Sequence, residues 1–73
     1  MLDMEFKYTR HAIVDSMPDD KIEKREVEET IRKAEFRARI AANKFRFRYK
    51  DLEVICLKRP GFWLVITCYR LNR

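Results

Sequence analysis

Glycine, proline, histidine and cysteine are all scarce here: one, two, one and two in 73 residues. One glycine cannot build a Gly-rich loop that cradles phosphate. One histidine and two separated cysteines give no metal-ligand spacing, and there is no C-x-x-C pair. Neither a metal nor a cofactor is therefore expected. Cys56 and Cys68 sit inside apolar stretches and read as small core residues. No motif for a serine nucleophile is present. A long hydrophobic run is also missing. The longest, 62–70, is about half of a bilayer-spanning helix, so no membrane association is expected. With no signal peptide, a cytoplasmic protein is the default expectation.

What is abundant is charge and apolar bulk. Charged residues make up 40% and hydrophobic ones 47%, which argues for a folded chain. The length fits one small domain over residues 1–73, with a modest core that a partner or a homodimer would help to stabilise. The net charge of +5 is unevenly placed. Residues 1–35 carry seven Lys/Arg against ten Asp/Glu, and residues 36–73 carry ten against two. A basic half beside an acidic half points to an anionic partner on one side, nucleic acid being the commonest. Basic strand faces that merely solubilise an exposed sheet are the alternative.

The spacing of apolar residues changes along the chain. Residues 1–8 alternate loosely, with Met4, Phe6 and Tyr8 against Glu5 and Lys7, as in a short edge strand or extended arm. Thr9 is placed to cap a short helix through Met17 that turns Ile13 and Met17 toward the core. Pro18 should end it, and Asp19-Asp20 should turn the chain. A second helix is expected over about 23–34, with Ile22, Val27, Ile31 and Ala34 on one stripe. The period then falls to two. Strands are expected at 36–40, 45–50, 52–57 and 62–70, the first two with one wet face and the last two central and buried on both faces. Phe62, Trp63, Leu64 and Ile66 should supply much of the core. The expected fold is α+β: two N-terminal helices on a four-stranded antiparallel sheet, with room for a short N-terminal edge strand.

Three features carry candidate chemistry. Arg46, Arg48 and Lys50 alternate along one strand and should share a face about 7 Å apart. If 36–40 pairs with 45–49, Arg37 and Arg39 should join them in a ladder for an RNA backbone. The second feature is His11, the only histidine, whose side-chain type suits a general acid or base, with Asp15 one turn on to orient it. The third is the end of the last strand, where Thr67 and Tyr69 share a face beside Arg70 and are placed to bind a phosphate. A surface histidine, a β-favouring threonine and a core tyrosine are the structural alternatives.

The runs Thr9-Arg10-His11-Ala12, Ile22 through Val27 to Ile31, and Val65-Ile66-Thr67-Cys68-Tyr69 resemble a family of small prokaryotic domains of unknown function. That family looks allied with the RelE-, BrnT- and barnase-like ribonuclease toxins. The resemblance implies a RelE-like fold and metal-independent RNA cleavage by a toxin with an antitoxin partner. It assigns His11 as acid/base, Thr67 and Tyr69 to the scissile phosphate, and the arginines with Lys50 to the RNA backbone. The chain departs from the pattern in three places. Ser16 stands where the family has arginine, Asp20-Lys21 where it has Arg-Gly, and the His11-to-Met17 spacing is one residue longer. A non-catalytic nucleic-acid-binding or protein-interaction module of the same fold is the alternative reading.

Overall fold

The computed structural model describes residues 5–71. The expected packing of Met4 lies outside the described residues. The clearest local signal, the second helix, forms as α2 over Lys24–Lys33. Its start is fixed by a capping box: Glu23 takes up the Glu26 backbone N–H, and the Glu26 carboxylate accepts the Glu23 N–H at 3.1 Å. Arg32 and Lys33 in the last turn face the negative end of the helix dipole. Val27, Thr30 and Ile31 form the buried stripe, and the Thr30 hydroxyl is satisfied by the Glu26 carbonyl at 2.9 Å. Ile22 is buried with them, and Ala34 packs against the same core.

The first helix departs from expectation. Thr9 does cap it, its hydroxyl accepting the Ala12 N–H at 3.2 Å. The next stretch, Ala12–Ser16, is π-helical, and the Met17 N–H reaches back to the Ala12 carbonyl. A π turn takes up one extra residue. The wider turn also rotates the face. Ala12 is fully buried, whereas Ile13, expected in the core, is 44% exposed. Pro18 does not stop the helix. It lies inside the α-helical turn α1, Met17–Asp19, which continues directly from the π-helical stretch. The stop comes after it. Lys21 takes a left-handed φ of 54°, its N–H bonds to the Pro18 carbonyl, and the Ile22 N–H bonds to the Met17 carbonyl. That is a Schellman ending, sealed by burial of Met17 and Ile22 together.

Among the described residues the sheet has the four expected antiparallel strands and the short N-terminal edge strand that the sequence left room for, and that fifth strand makes it mixed. The strands are β1 (Glu5–Tyr8), β2 (Phe36–Ala41), β3 (Lys44–Tyr49), β4 (Leu52–Arg59) and β5 (Phe62–Arg70), in the order β1-β5-β4-β3-β2. The last four form an antiparallel meander, and β1 adds to it parallel to β5. A parallel strand needs a crossover connection. Here the chain between β1 and β2 holds both helical segments, which pack on one sheet face. Beyond Val65, β5 has no strand on its outer side. The Thr9 hydroxyl bonds to the Ile66 carbonyl, and the Asp20 carboxylate accepts the Arg70 N–H at 2.9 Å.

The core lies between the helices and the sheet face that carries Phe47, Leu52, Val54, Cys56, Val65 and Cys68. Among the described residues no helix covers the other face. β4 and β5 are central, as expected, but β5 is not buried on both faces. Val65 and Cys68 are buried, while Phe62, Leu64 and Ile66 are only half-buried and contribute little to the core. Trp63 packs against the core from its edge.

Candidate nucleic-acid interface

Strand register decides which basic side chains can act together. β3 alternates cleanly, with Phe45 and Phe47 toward the helices and Arg46 and Arg48 toward the open face. β2 pairs Phe36 with Arg48, Arg37 with Phe47, Ala38 with Arg46 and Arg39 with Phe45. Directly opposed residues share a face. Arg37 and Arg39 therefore lie on the helix face, opposite to Arg46 and Arg48, and the expected five-residue ladder does not exist. Lys50 leaves it as well. It sits in the β3–β4 turn with φ 57°, and its ammonium lies 5.3 Å from the Tyr49 ring centre.

On the open face both arginines are drawn to one carboxylate, Arg48 by hydrogen bonds and Arg46 by charge alone, its Nε having no hydrogen bond among the described residues. Glu53, only 3% exposed, lies between them and Tyr69. Arg48 donates to one carboxylate oxygen through Nε at 3.1 Å and Nη2 at 2.8 Å. Arg46 Nε approaches the other at 3.6 Å, and the Tyr69 hydroxyl donates to that same oxygen. Burial pushes the Glu53 carboxyl up, but the Tyr69 and Arg48 hydrogen bonds and the charges of both arginines outweigh it and hold it below the usual range. The bond to Glu53, together with burial, raises the Tyr69 phenol. Cross-strand pairing sets Tyr69, Glu53, Arg48 and Phe36 in a row, and the Arg48 guanidinium lies 5.2 Å over the Phe36 ring. Arg70 is likewise engaged, by Glu26 at 2.9 Å, Asp51 at 3.5 Å and the Asp20 carbonyl at 3.3 Å.

The three residues assigned to catalysis, His11, Thr67 and Tyr69, lie around one groove of about 290 Å³ where the short helix runs beside the end of β5. The helix brings in His11 and β5 brings in the other two. His11 Nδ1 lies 3.3 Å from Asp15, as the four-residue spacing suggested. The Thr67 hydroxyl is 2.8 Å from that of Ser16. Asp15, Asp19 and Asp20 also line the groove. Three carboxylates on one groove, of which Asp20 also accepts the Arg70 N–H, give it a negative rim, which disfavours a phosphate.

A second groove, of about 340 Å³, lies on the helix face near the β2–β3 and β4–β5 turns, beyond the reach of the helices. Arg37, Arg39 and Lys58 line it around Phe45, Phe47 and Trp63. The rings interlock: Trp63 meets Phe47 edge-on at 5.2 Å and Phe45 edge-on at 5.6 Å. Arg37 lies 5.9 Å from the Phe47 ring centre and Lys58 6.0 Å from that of Trp63. Among the described residues no carboxylate pairs with Arg37, Arg39 or Lys58. The sequence flagged only the two arginines. Lys58 fell between the expected strands 52–57 and 62–70 and Trp63 read as core, and the one available signal was an aromatic opposite a lysine across the β4–β5 hairpin. The groove offers unpaired cations beside apolar ring surfaces.

The cysteines have the buried positions expected of core residues. Burial pushes the Cys56 thiol up to about 12, and burial, with Asp20 nearby, pushes the Cys68 thiol up to about 11. Among the described residues no cluster of His, Cys, Asp and Glu could hold a metal, and no helix is long and apolar enough to cross a membrane. Comparison with protein-family models, curated proteins and solved structures found no match to the chain.

Proposed function

We propose that the chain is a single-stranded nucleic-acid-binding module and that its binding surface is the groove of Arg37, Arg39 and Lys58 around Trp63. One observation carries this reading: among the described residues three cations without acidic partners border the half-buried rings of Phe45 and Trp63, which pack on buried Phe47. Single strands are held by this combination, because cations track the phosphates while unpaired bases stack or wedge against aromatic surfaces. A duplex hides its base faces and would gain only the electrostatic part. The volume fits about one nucleotide at a time, at the lower end of ligand-pocket sizes. Trp63 is the only tryptophan and so reports on its own site. Titration with a labelled single-stranded RNA should quench Trp63 emission and give an affinity that falls steeply with salt, whereas a duplex of the same length should bind more weakly. Equal binding of duplex and single strand, or binding that leaves Trp63 emission untouched, argues against the groove.

A second reading has its own observation in its favour. His11, Thr67 and Tyr69 line one groove, as a toxin-type, metal-independent endoribonuclease with an antitoxin partner would require. In that reading His11 serves as the acid/base, and Tyr69, tied to Glu53, positions rather than transfers a proton. The aspartates on the rim and the engaged Arg46, Arg48 and Arg70 weigh against it. Incubation with total RNA in EDTA tests it: cleavage that disappears in His11→Ala supports the enzyme, and intact RNA supports the binder.

A further inference from the structure

The two edges of the sheet differ in how they are protected. β1 is four residues long and carries exposed Glu5 and Lys7. β2 is six residues long, has no proline, and is exposed or half-exposed at every position. Among the described residues its outer row of backbone N–H and C=O groups has no strand beside it. Its side chains divide by face. Arg37 and Arg39 point toward the helix face with Phe47 and Phe45, and Phe36 and Ala38 point toward the open face, where Phe36 is 43% exposed.

We propose that β2 is a docking edge for an extended segment of another protein, one in which acidic residues alternate with apolar ones. The segment would add as a sixth strand. Its acids would lie beside Arg37 and Arg39 on one face and its apolar residues beside Phe36 and Ala38 on the other. The charge pattern selects this occupant over a second copy of the chain. Antiparallel pairing of two β2 strands about Ala38 sets Arg37 of each copy opposite Arg39 of the other. A slip by two residues sets like arginines opposite each other. Like charges directly opposed weaken cross-strand pairing, and a chain of net charge +5 adds to the repulsion. A basic or uncharged strand gains less than an acidic one for the same reason.

Docking has a consequence that rests on the nucleic-acid reading. Arg37 and Arg39 line the proposed nucleic-acid groove, so carboxylates placed beside them neutralise two of its three cations. The acidic strand and a single-stranded nucleic acid then compete, although they approach the sheet from different directions.

The test uses the full chain, isotopically labelled, and an end-blocked eight-residue peptide that alternates Glu and Val. Two control peptides accompany it: one alternating Lys and Val, and the Glu–Val peptide with every second backbone nitrogen methylated. The proposal expects the Glu–Val peptide to shift the amide signals of 36–41 and both controls to bind at least about tenfold more weakly. It expects Arg37→Glu with Arg39→Glu, both on exposed positions, to lower the affinity for the acidic peptide by a similar factor and to raise that for the Lys–Val peptide. Equal binding of the Lys–Val or the methylated peptide overturns it. So do shifts that fall outside β2 and β3, or self-association through 36–41 in the absence of peptide. Displacement of a fluorescent single-stranded oligonucleotide by the Glu–Val peptide supports the competition. A peptide that docks on β2 of a protein that binds no oligonucleotide contradicts the proposed function and upholds the docking edge.

Discussion

Glu53 is the residue whose replacement tests most directly how the open face is held. Glu53→Gln keeps the shape and removes the charge. The carboxylate now receives two hydrogen bonds from Arg48, one from Tyr69 and the charge of Arg46. A hydrogen bond to a charged group contributes about 1.5–3 kcal/mol and one between neutral groups about 0.5–1.5 kcal/mol. In the variant, the amide oxygen still accepts from Arg48. The amide nitrogen, a donor, takes the place of the oxygen that Tyr69 and Arg46 approach. Arg46 and Arg48 are 39% and 42% exposed, so water recovers part of the loss. The net is a destabilisation of about 2 kcal/mol at pH 7, or on the order of 10 °C in Tm for a domain of this size. The pH dependence is the sharper part. The folded-state carboxyl is held below the usual range, so its stabilisation is complete above the ordinary glutamate pKa of about 4.3. As pH falls below that value, the unfolded chain takes up the proton first. The stabilisation fades as pH passes down through the folded value. Protonated Glu53 resembles glutamine, so the gap between wild type and variant should close in acid. Urea melts at pH 7, 5, 4 and 3 measure it. A gap under about 0.5 kcal/mol at pH 7, or one that persists undiminished at pH 3, refutes the reasoning.

Two further substitutions probe the frame around the sites. Lys21 holds a left-handed φ of 54° at the Schellman ending, a conformation that disfavours a side chain and favours glycine. Lys21→Gly should therefore raise Tm by roughly 4 °C, and a lower Tm would show that the lysine is not strained. Arg70 joins the end of β5 to Glu26, Asp51 and Asp20. Arg70→Ala should cost about 1–2 kcal/mol in thermal or urea melts and leave oligonucleotide affinity unchanged, and a large loss of affinity in a stable variant would return Arg70 to the binding surface.

Local chemistry was legible in the sequence, and long-range register was not. Ile22, Val27, Ile31 and Ala34 announce α2 through spacing alone, and the Thr9 cap, the β3 alternation and the central place of β4 follow from the same kind of evidence. The arginine ladder failed on parity. Opposing Phe36 to Arg48 puts Arg37 and Arg39 on the other face, and a shift of one residue would have reversed the answer. No local pattern fixes that choice. The buried role of Glu53 was hidden for a related reason: its partners Arg48 and Tyr69 come from the strands on either side. The only hint was a single acid in an otherwise apolar central strand. The π turn at Ala12–Ser16 moved Ile13 out of the core, because a helical wheel drawn at 3.6 residues per turn cannot represent it. Trp63 read as core because composition cannot tell which end of a sheet the helices leave bare.

The central claim is that nucleic acid is held by Arg37 and Arg39 on the helix face and not by the arginines of the open face. The direct measurement is the slope of log affinity against log salt for a single-stranded RNA. It should be taken for wild type, for Arg37→Gln with Arg39→Gln, and for Arg46→Gln. Each phosphate contact to a single strand contributes about 0.7 to the slope, so the first variant should flatten it by roughly 1.4 and the second should leave it unchanged. A slope that flattens in Arg46→Gln and holds in the double variant would contradict the account.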